Sequence, residues 1–194
     1  MTTIGVLALQ GDFAEHLQAL KKLGVGTREV RLSRDMEGLD GLIIPGGEST
    51  TMARLMDVYQ LREPLKERIQ QGMAVWGTCA GLILLARRLS EDRPEPLGLM
   101  DIEVQRNGFG RQVDSFETDL VVSALGATPF HAVFIRAPLI TQVGPKAHPL
   151  ASLAAGTTVA VQQDRLLASA FHPELTQDLR FHRYFLEVAE SGQA

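Results

Sequence analysis

The chain has 194 residues, 45% hydrophobic and 22% charged, which is the balance of an ordinary globular domain with material for one substantial core. Its formal net charge is −4 and no dense run of Lys and Arg occurs, so a nucleic-acid partner, which needs a basic stripe, is disfavoured. The single cysteine forbids an intrachain disulfide, and neither a signal peptide nor a membrane-length apolar run is visible, so a cytoplasmic address and one domain over residues 1–194 are expected.

In chain order, Thr3 to Leu9 is a short apolar run ending in Gln10-Gly11-Asp12, the pattern of a buried strand and a turn. Phe13, Leu17, Leu20 and Leu23 fall at helical spacing before Gly24. Thr27 to Leu32 and Asp40 to Pro45 are predicted strands, the latter ended by Gly46-Gly47. Helices are predicted over Thr50 to Tyr59 and Leu61 to Gln71, a strand over Met73 to Gly77, and a helix over Ala80 to Leu89. The later half changes to strand-like pieces: Ile102 to Gln105, Ala132 to Ile135, Leu139 to Val143, Thr157 to Gln162 and Leu166 to Phe171. A last helix is predicted from Thr176 to Glu190. Alternating strands and helices imply an α/β fold: a mostly parallel central sheet flanked by helices on both faces, with an antiparallel extension.

Cys79 lies in Gly77-Thr78-Cys79-Ala80-Gly81, between a predicted strand and a predicted helix. That is the setting of a nucleophile elbow, where small residues let strand and helix crowd together. The helix N-terminus favours a thiolate, and its backbone N–H groups can meet a developing oxyanion. A nucleophilic thiol needs a base. Of the five histidines, His16 and His182 sit inside helical patterns and are expected at the surface, while His131 and His148 read as loop residues. His172 ends a predicted strand and precedes Pro173-Glu174. Pro173 holds His172 extended, and residues two apart in extended chain project to the same side, so Glu174 can orient the imidazole. Cys79, His172 and Glu174 are therefore the candidate catalytic triad. The histidines are well separated and only one cysteine exists, so no metal site and no cofactor are expected. No Gly-x-x-x-x-Gly-Lys-Ser/Thr phosphate loop occurs either.

These motifs resemble the class I (triad) glutamine amidotransferases over the whole chain. The likeness rests on Gly5 to Gln10-Gly11, Pro45-Gly46-Gly47-Glu48-Ser49-Thr50-Thr51, the elbow, Arg106-Asn107-Gly108-Phe109-Gly110-Arg111-Gln112, Phe134-Ile135-Arg136-Ala137-Pro138 and Phe171-His172-Pro173-Glu174-Leu175-Thr176. The Gly-Gly-Glu-Ser-Thr run and the Arg106 segment are similar to the vitamin B6 branch. Many class I members carry a glutamine four residues after the nucleophile, where this chain has Ile83, which argues against the histidine, purine and pyrimidine branches. The resemblance implies a flavodoxin-like core and hydrolysis of glutamine to glutamate and ammonia through a thioester on Cys79. It implies glutamine binding by Gly47, Glu48, Ser49, Arg106, Ile135 and Arg136. Arg106 or Arg136 can pair the α-carboxylate, Glu48 is the anion available to the α-ammonium, and backbone groups at Gly46, Gly47 and Ala80 are the candidate oxyanion hole. It also implies a partner, the synthase subunit of pyridoxal 5′-phosphate synthase, which consumes the ammonia.

Overall fold

The computed structural model describes residues 2–108 and 115–192. In chain order it contains β1 (Thr3–Leu7), α1 (Phe13–Lys22), β2 (Gly26–Val30), β3 (Gly41–Ile44), α2 (Ser49–Val58), α3 (Arg62–Gln70), β4 (Ala74–Thr78) and α4 (Ala80–Leu85). These are followed by β5 (Ala86–Leu89), β6 (Met100–Gln105), β7 (Ser115–Leu120), β8 (Phe130–Ile135), β9 (Leu139–Val143), β10 (His148–Ser152), β11 (Thr158–Gln163), β12 (Leu166–Ser169) and α5 (Arg180–Glu190).

The main sheet runs β10-β11-β12-β4-β3-β1-β2. From β12 to β2 neighbouring strands are parallel, whereas β10, β11 and β12 pair antiparallel, which gives the mixed α/β architecture expected from the sequence. The central strands are buried from end to end because helices cover both faces, and apart from Thr78 every residue of β3 and β4 is apolar. On one face Trp76 stacks on Phe181 of α5 at 5.5 Å and meets His16 of α1 edge-on, also at 5.5 Å. On the other face α4 lies so close to β3 and β4 that a Cβ on Gly81 would come within 2.1 Å of the Ile44 carbonyl oxygen, and one on Gly77 within 2.5 Å of Gly81. The order β2-β1-β3-β4-β12 reverses direction between β1 and β3, and a crevice opens beyond the carboxyl ends of the strands at such a point.

Several elements differ from their predicted bounds. The helix expected over Ala80 to Leu89 stops at Leu85, and Ala86 turns extended (φ −54°, ψ 149°) into β5, which pairs with β6. The apolar run Leu82 to Ala86 is buried throughout, so its hydrophobicity carries no period that separates helix from strand. The last helix begins at Arg180 rather than Thr176: Thr176 is extended, and the Asp178 carboxylate accepts the Arg180 N–H at 3.0 Å. Strands β7 and β10 have no counterpart in the sequence reading. β7 is largely polar, and β10 carries Pro149 on a sheet edge, so neither shows a strong apolar signal. His131 and His148, read as loop residues, lie in β8 and at the start of β10.

Candidate functional site

Four segments converge beyond the carboxyl ends of the strands. They are the β1–α1 turn, the β3–α2 turn, the β4–α4 junction and the chain after β12. The first two are knitted together. Asp12 N–H donates to the Gly46 carbonyl at 3.1 Å, and Glu48 N–H donates to Gln10 Oε1 at 2.8 Å. Gly11 (φ 93°) is required here, since a Cβ would stand 1.8 Å from the Gly46 oxygen.

Cys79 sits at the β4–α4 junction with φ 47° and ψ −99°, a strained conformation for a residue with a side chain. Its N–H donates to the Ser169 carbonyl at 2.8 Å, and Ile83 N–H donates to its carbonyl, so sheet and helix hold the turn from both sides. The Sγ atom faces the Ile135 carbonyl at 4.0 Å. Asn107 (φ 49°) and Arg136 (φ 43°) are also left-handed, and both line the same cavity as Cys79. Three of the five non-glycine residues with positive φ among the described residues thus surround one pocket, a concentration found at functional sites.

That cavity holds about 400 Å³ and is lined by Gln10, Asp12, Gly47, Glu48, Ser49, Cys79, Ile83, Arg106, Asn107, Ile135, Arg136 and His172. All six residues expected to bind glutamine are present, together with Cys79 and His172. Gly46 and Ala80 do not line it. Gly46 lies behind, packed so closely that a Cβ would meet His172 Cε1 at 2.4 Å. Phe109 to Gln112 of the arginine-rich segment lie outside the described residues.

His172 is held by its N–H, which donates to the Val133 carbonyl at 2.9 Å. Its Nδ1 is 2.7 Å from Glu174 Oε1, so the neutral or charged ring donates there and directs Nε2 away from the carboxylate. Nε2 is buried and makes no hydrogen bond of regular geometry among the described residues, the Cys79 sulfur being the group beside it. Burial works against the charged ring, but hydrogen bonding and charge from Cys79 and Glu174 outweigh it, and the His172 pKa is pushed up to about 10. An imidazolium beside a sulfur is the pairing that favours thiolate. Glu174 lies in a short turn, Pro173–Leu175, and is buried; burial raises its pKa, opposed by the hydrogen bond and charge of His172.

The polar end of the cavity is built on Glu48. Its carboxylate caps α2, accepting Thr50 N–H at 3.0 Å and Thr51 N–H at 2.6 Å, and Arg106 approaches Oε1 at 3.3 Å. Partial burial raises the Glu48 pKa, yet the bonds from Thr51 and Thr50 prevail and bring it down to about 2. Arg106 also donates to the Arg93 carbonyl at 3.1 Å. The pocket therefore offers two carboxylates, Glu48 and Asp12, and two arginines to a zwitterionic ligand.

The sequence reading missed Gln10, Asp12 and Asn107. Asp12 Oδ2 is 3.5 Å from His172 Nδ1. One atom from each of Asp12, His172 and Glu174 falls within 4.8 Å of the others, but the imidazole nitrogen facing both carboxylates is the one engaged with Glu174, so the group forms an acid–base cluster rather than a ligand set. His16 and His182, expected at the surface, are both fully buried beneath the site. The signal that could have exposed them is positional: each falls on the apolar stripe of its helix, beside Leu17 and Leu20 in α1 and beside Phe181 and Phe185 in α5.

Residues 6–191 match the SNO glutamine amidotransferase family. The chain is 59% identical over 192 residues to the pyridoxal 5′-phosphate synthase subunit PdxT of Deinococcus radiodurans, covering 96% of this chain and 97% of that one. It is 58% identical over 187 residues to the corresponding subunit of Herpetosiphon aurantiacus, covering 95% and 98%. A crystal structure of a glutamine amidotransferase superposes with a TM-score of 0.90 at 50% identity, covering 96% of this chain and 98% of that one. The structure of PurLQS from Thermotoga maritima, at 13% identity and a TM-score of 0.72 over 96% and 97% of the two chains, shares the fold.

Proposed function

The chain belongs to the SNO glutamine amidotransferase family, and we propose that it is the glutaminase subunit of a pyridoxal 5′-phosphate synthase, with Cys79, His172 and Glu174 as its triad. The observation that carries the triad is the 2.7 Å contact between His172 Nδ1 and Glu174 Oε1 at the wall of the cavity into which strained Cys79 projects.

In this reading the Cys79 thiolate attacks the side-chain amide carbon of glutamine, and of the three oxyanion-hole candidates Gly47, which lines the cavity, is the one whose backbone N–H receives the charge on oxygen. His172 gives its proton to the amide nitrogen, the C–N bond breaks, and ammonia leaves. A glutamyl thioester remains on Cys79. Water then attacks it while His172 takes a water proton, the C–S bond breaks, and glutamate departs. Glu174 keeps the ring in the tautomer that turns Nε2 toward sulfur and stabilises its charged form. Arg106 or Arg136 meets the substrate carboxylate and Glu48 its ammonium, with Gly47, Ser49 and Ile135 completing the wall. No cofactor enters any step.

Ammonia released to water at neutral pH is mostly protonated and lost as a nucleophile, so the synthase subunit that consumes it is the expected partner. No helix among the described residues is long and apolar enough to cross a membrane, and one free buried thiol fits a reducing compartment, which supports the cytoplasm as the address. The test is glutamate release from glutamine by the purified chain, with and without the synthase subunit. Release that rises on adding the synthase supports the assignment; release indifferent to a bound synthase rejects the partnership.

A further inference from the structure

The triad does not end at Glu174. Its side chain has no exposed surface, and only Oε1 is engaged by His172. The other oxygen, Oε2, makes no regular hydrogen bond, and His16 Nε2 stands 3.4 Å from it. His16 rises from α1 and, unlike His172, does not line the substrate cavity. Its Nδ1 is 3.0 Å from His182 Nε2 of α5, and its Nε2 is also 3.2 Å from the Thr78 hydroxyl of β4.

Two neutral arrangements of this pair can be written. If His16 carries its proton on Nδ1, it donates to His182 Nε2, and His182 must then be protonated on Nδ1. That Nδ1 is buried without any partner, so an N–H would be orphaned. The same arrangement would also aim the Nε2 lone pair of His16 at a carboxylate oxygen. If His16 carries its proton on Nε2, both costs disappear. His182 Nε2–H donates to His16 Nδ1, His16 Nε2–H is shared between Glu174 Oε2 and Thr78, and only an acceptor on His182 is left unfilled, which is the cheaper deficit. The charged form of His16 is disfavoured by burial first, and by His182 and His172 beside it. Burial alone takes His182 down to about 4.

We propose that His16, as the neutral Nε2–H tautomer set by His182, is a positioning residue that donates to the second oxygen of Glu174 and keeps that carboxylate ionised and aimed at His172. The inference rests on the glutaminase reading of the site. Burial pushes the Glu174 carboxylate toward its protonated form against the pull of His172 and its own backbone N–H, and a protonated Glu174 no longer stabilises the charged imidazole. The charged and titratable groups around Glu174 are His172 and Asp12 on the cavity side and His16, backed by His182, on the core side. His16 is the one placed to serve Oε2.

The first test needs no substrate: the ¹⁵N shifts of the ring nitrogens of His16 in the unaltered chain between pH 6 and 9, assigned with His16→Gln. The expected result is a neutral ring protonated on Nε2 throughout. Protonation on Nδ1, or a charged ring, overturns the proposal. The second test is the pH profile of glutamine turnover with the synthase subunit present. His16→Leu is expected to lower kcat about tenfold with KM unchanged and to move the acid limb up by about one pH unit, the size expected for losing one hydrogen bond to a charged group. His16→Gln, which retains an N–H near the same place, is expected to restore most of both. A folded His16→Leu with wild-type kcat and acid limb rejects the proposal. Should His16→Leu fail to fold, the tautomer measurement decides. Absence of turnover in the unaltered complex would instead reject the glutaminase reading, which the NMR result does not touch.

Discussion

Gly81→Ala sets two known effects against each other. Alanine is favoured over glycine inside a helix by about 1 kcal/mol, and Gly81 lies within α4 outside the left-handed region, so propensity alone predicts a more stable protein. Packing predicts the reverse. The new Cβ would stand 2.1 Å from the Ile44 carbonyl oxygen and 2.9 Å from its carbon, both backbone atoms of a central strand that cannot rotate aside. Reaching ordinary contact requires α4 to retreat from β3 by over ~1 Å. Overpacking of this kind costs about 1–3 kcal/mol, and a backbone obstacle places it at the upper end, leaving a net loss of about 1–2 kcal/mol. Urea unfolding is expected to show a midpoint lower by roughly half a molar. Because Cys79 begins the same helix, the retreat also moves the sulfur, and a displacement near 1 Å is expected to lower glutamine turnover about 100-fold. A Gly81→Ala protein with a higher midpoint and undiminished turnover would refute the reasoning.

Other expectations follow from the same geometry. His172 has its pKa raised to about 10, against an ordinary value near 6.5, so the stability it contributes is complete below about pH 6.5 and is lost as pH rises through 10; urea midpoints of the wild type should fall over that window more steeply than those of His172→Gln. Glu48 works in the opposite sense. Its pKa is depressed to about 2, so its contribution is present above about pH 4.5 and is lost as pH falls toward 2, and Glu48→Gln should flatten the acid side of the stability curve. Arg106→Ala is expected to raise the KM for glutamine at least about tenfold in steady-state assays. The same change should alter stability by less than ~1 kcal/mol, because its ion pair with Glu48 is partly exposed on both sides.

The parts of the site that were legible in the sequence are those fixed by local chain geometry. His172 and Glu174 are two residues apart across a proline, and Cys79 stands between a strand and a helix with glycines on either side, so their positions follow from short-range rules. The parallel core was legible because short apolar runs and helical patterns alternate through the first half of the chain, and β3 and β4 are buried from end to end. His16 and His182 were misread as surface residues although each falls on the apolar stripe of its helix; what no local pattern encodes is their meeting, which spans 166 positions and depends on α1 and α5 packing over Trp76. Asp12 and Gln10 were passed over for a similar reason: they look like turn residues until the β3–α2 loop closes on them. The strand β5 was hidden because the buried apolar run Leu82 to Ala86 leads into it with no period that marks where the helix ends, and β7 lacked the apolar content that marks a strand.

The central claim is that Cys79 carries the glutamyl group. Its most direct test is mass spectrometry of the complex with the synthase subunit, quenched in acid during glutamine turnover. The account predicts a glutamyl adduct on the peptide containing Cys79, present in the wild type and absent, along with turnover, in Cys79→Ala. Undiminished turnover in Cys79→Ala, with no adduct on that peptide in either protein, would contradict it.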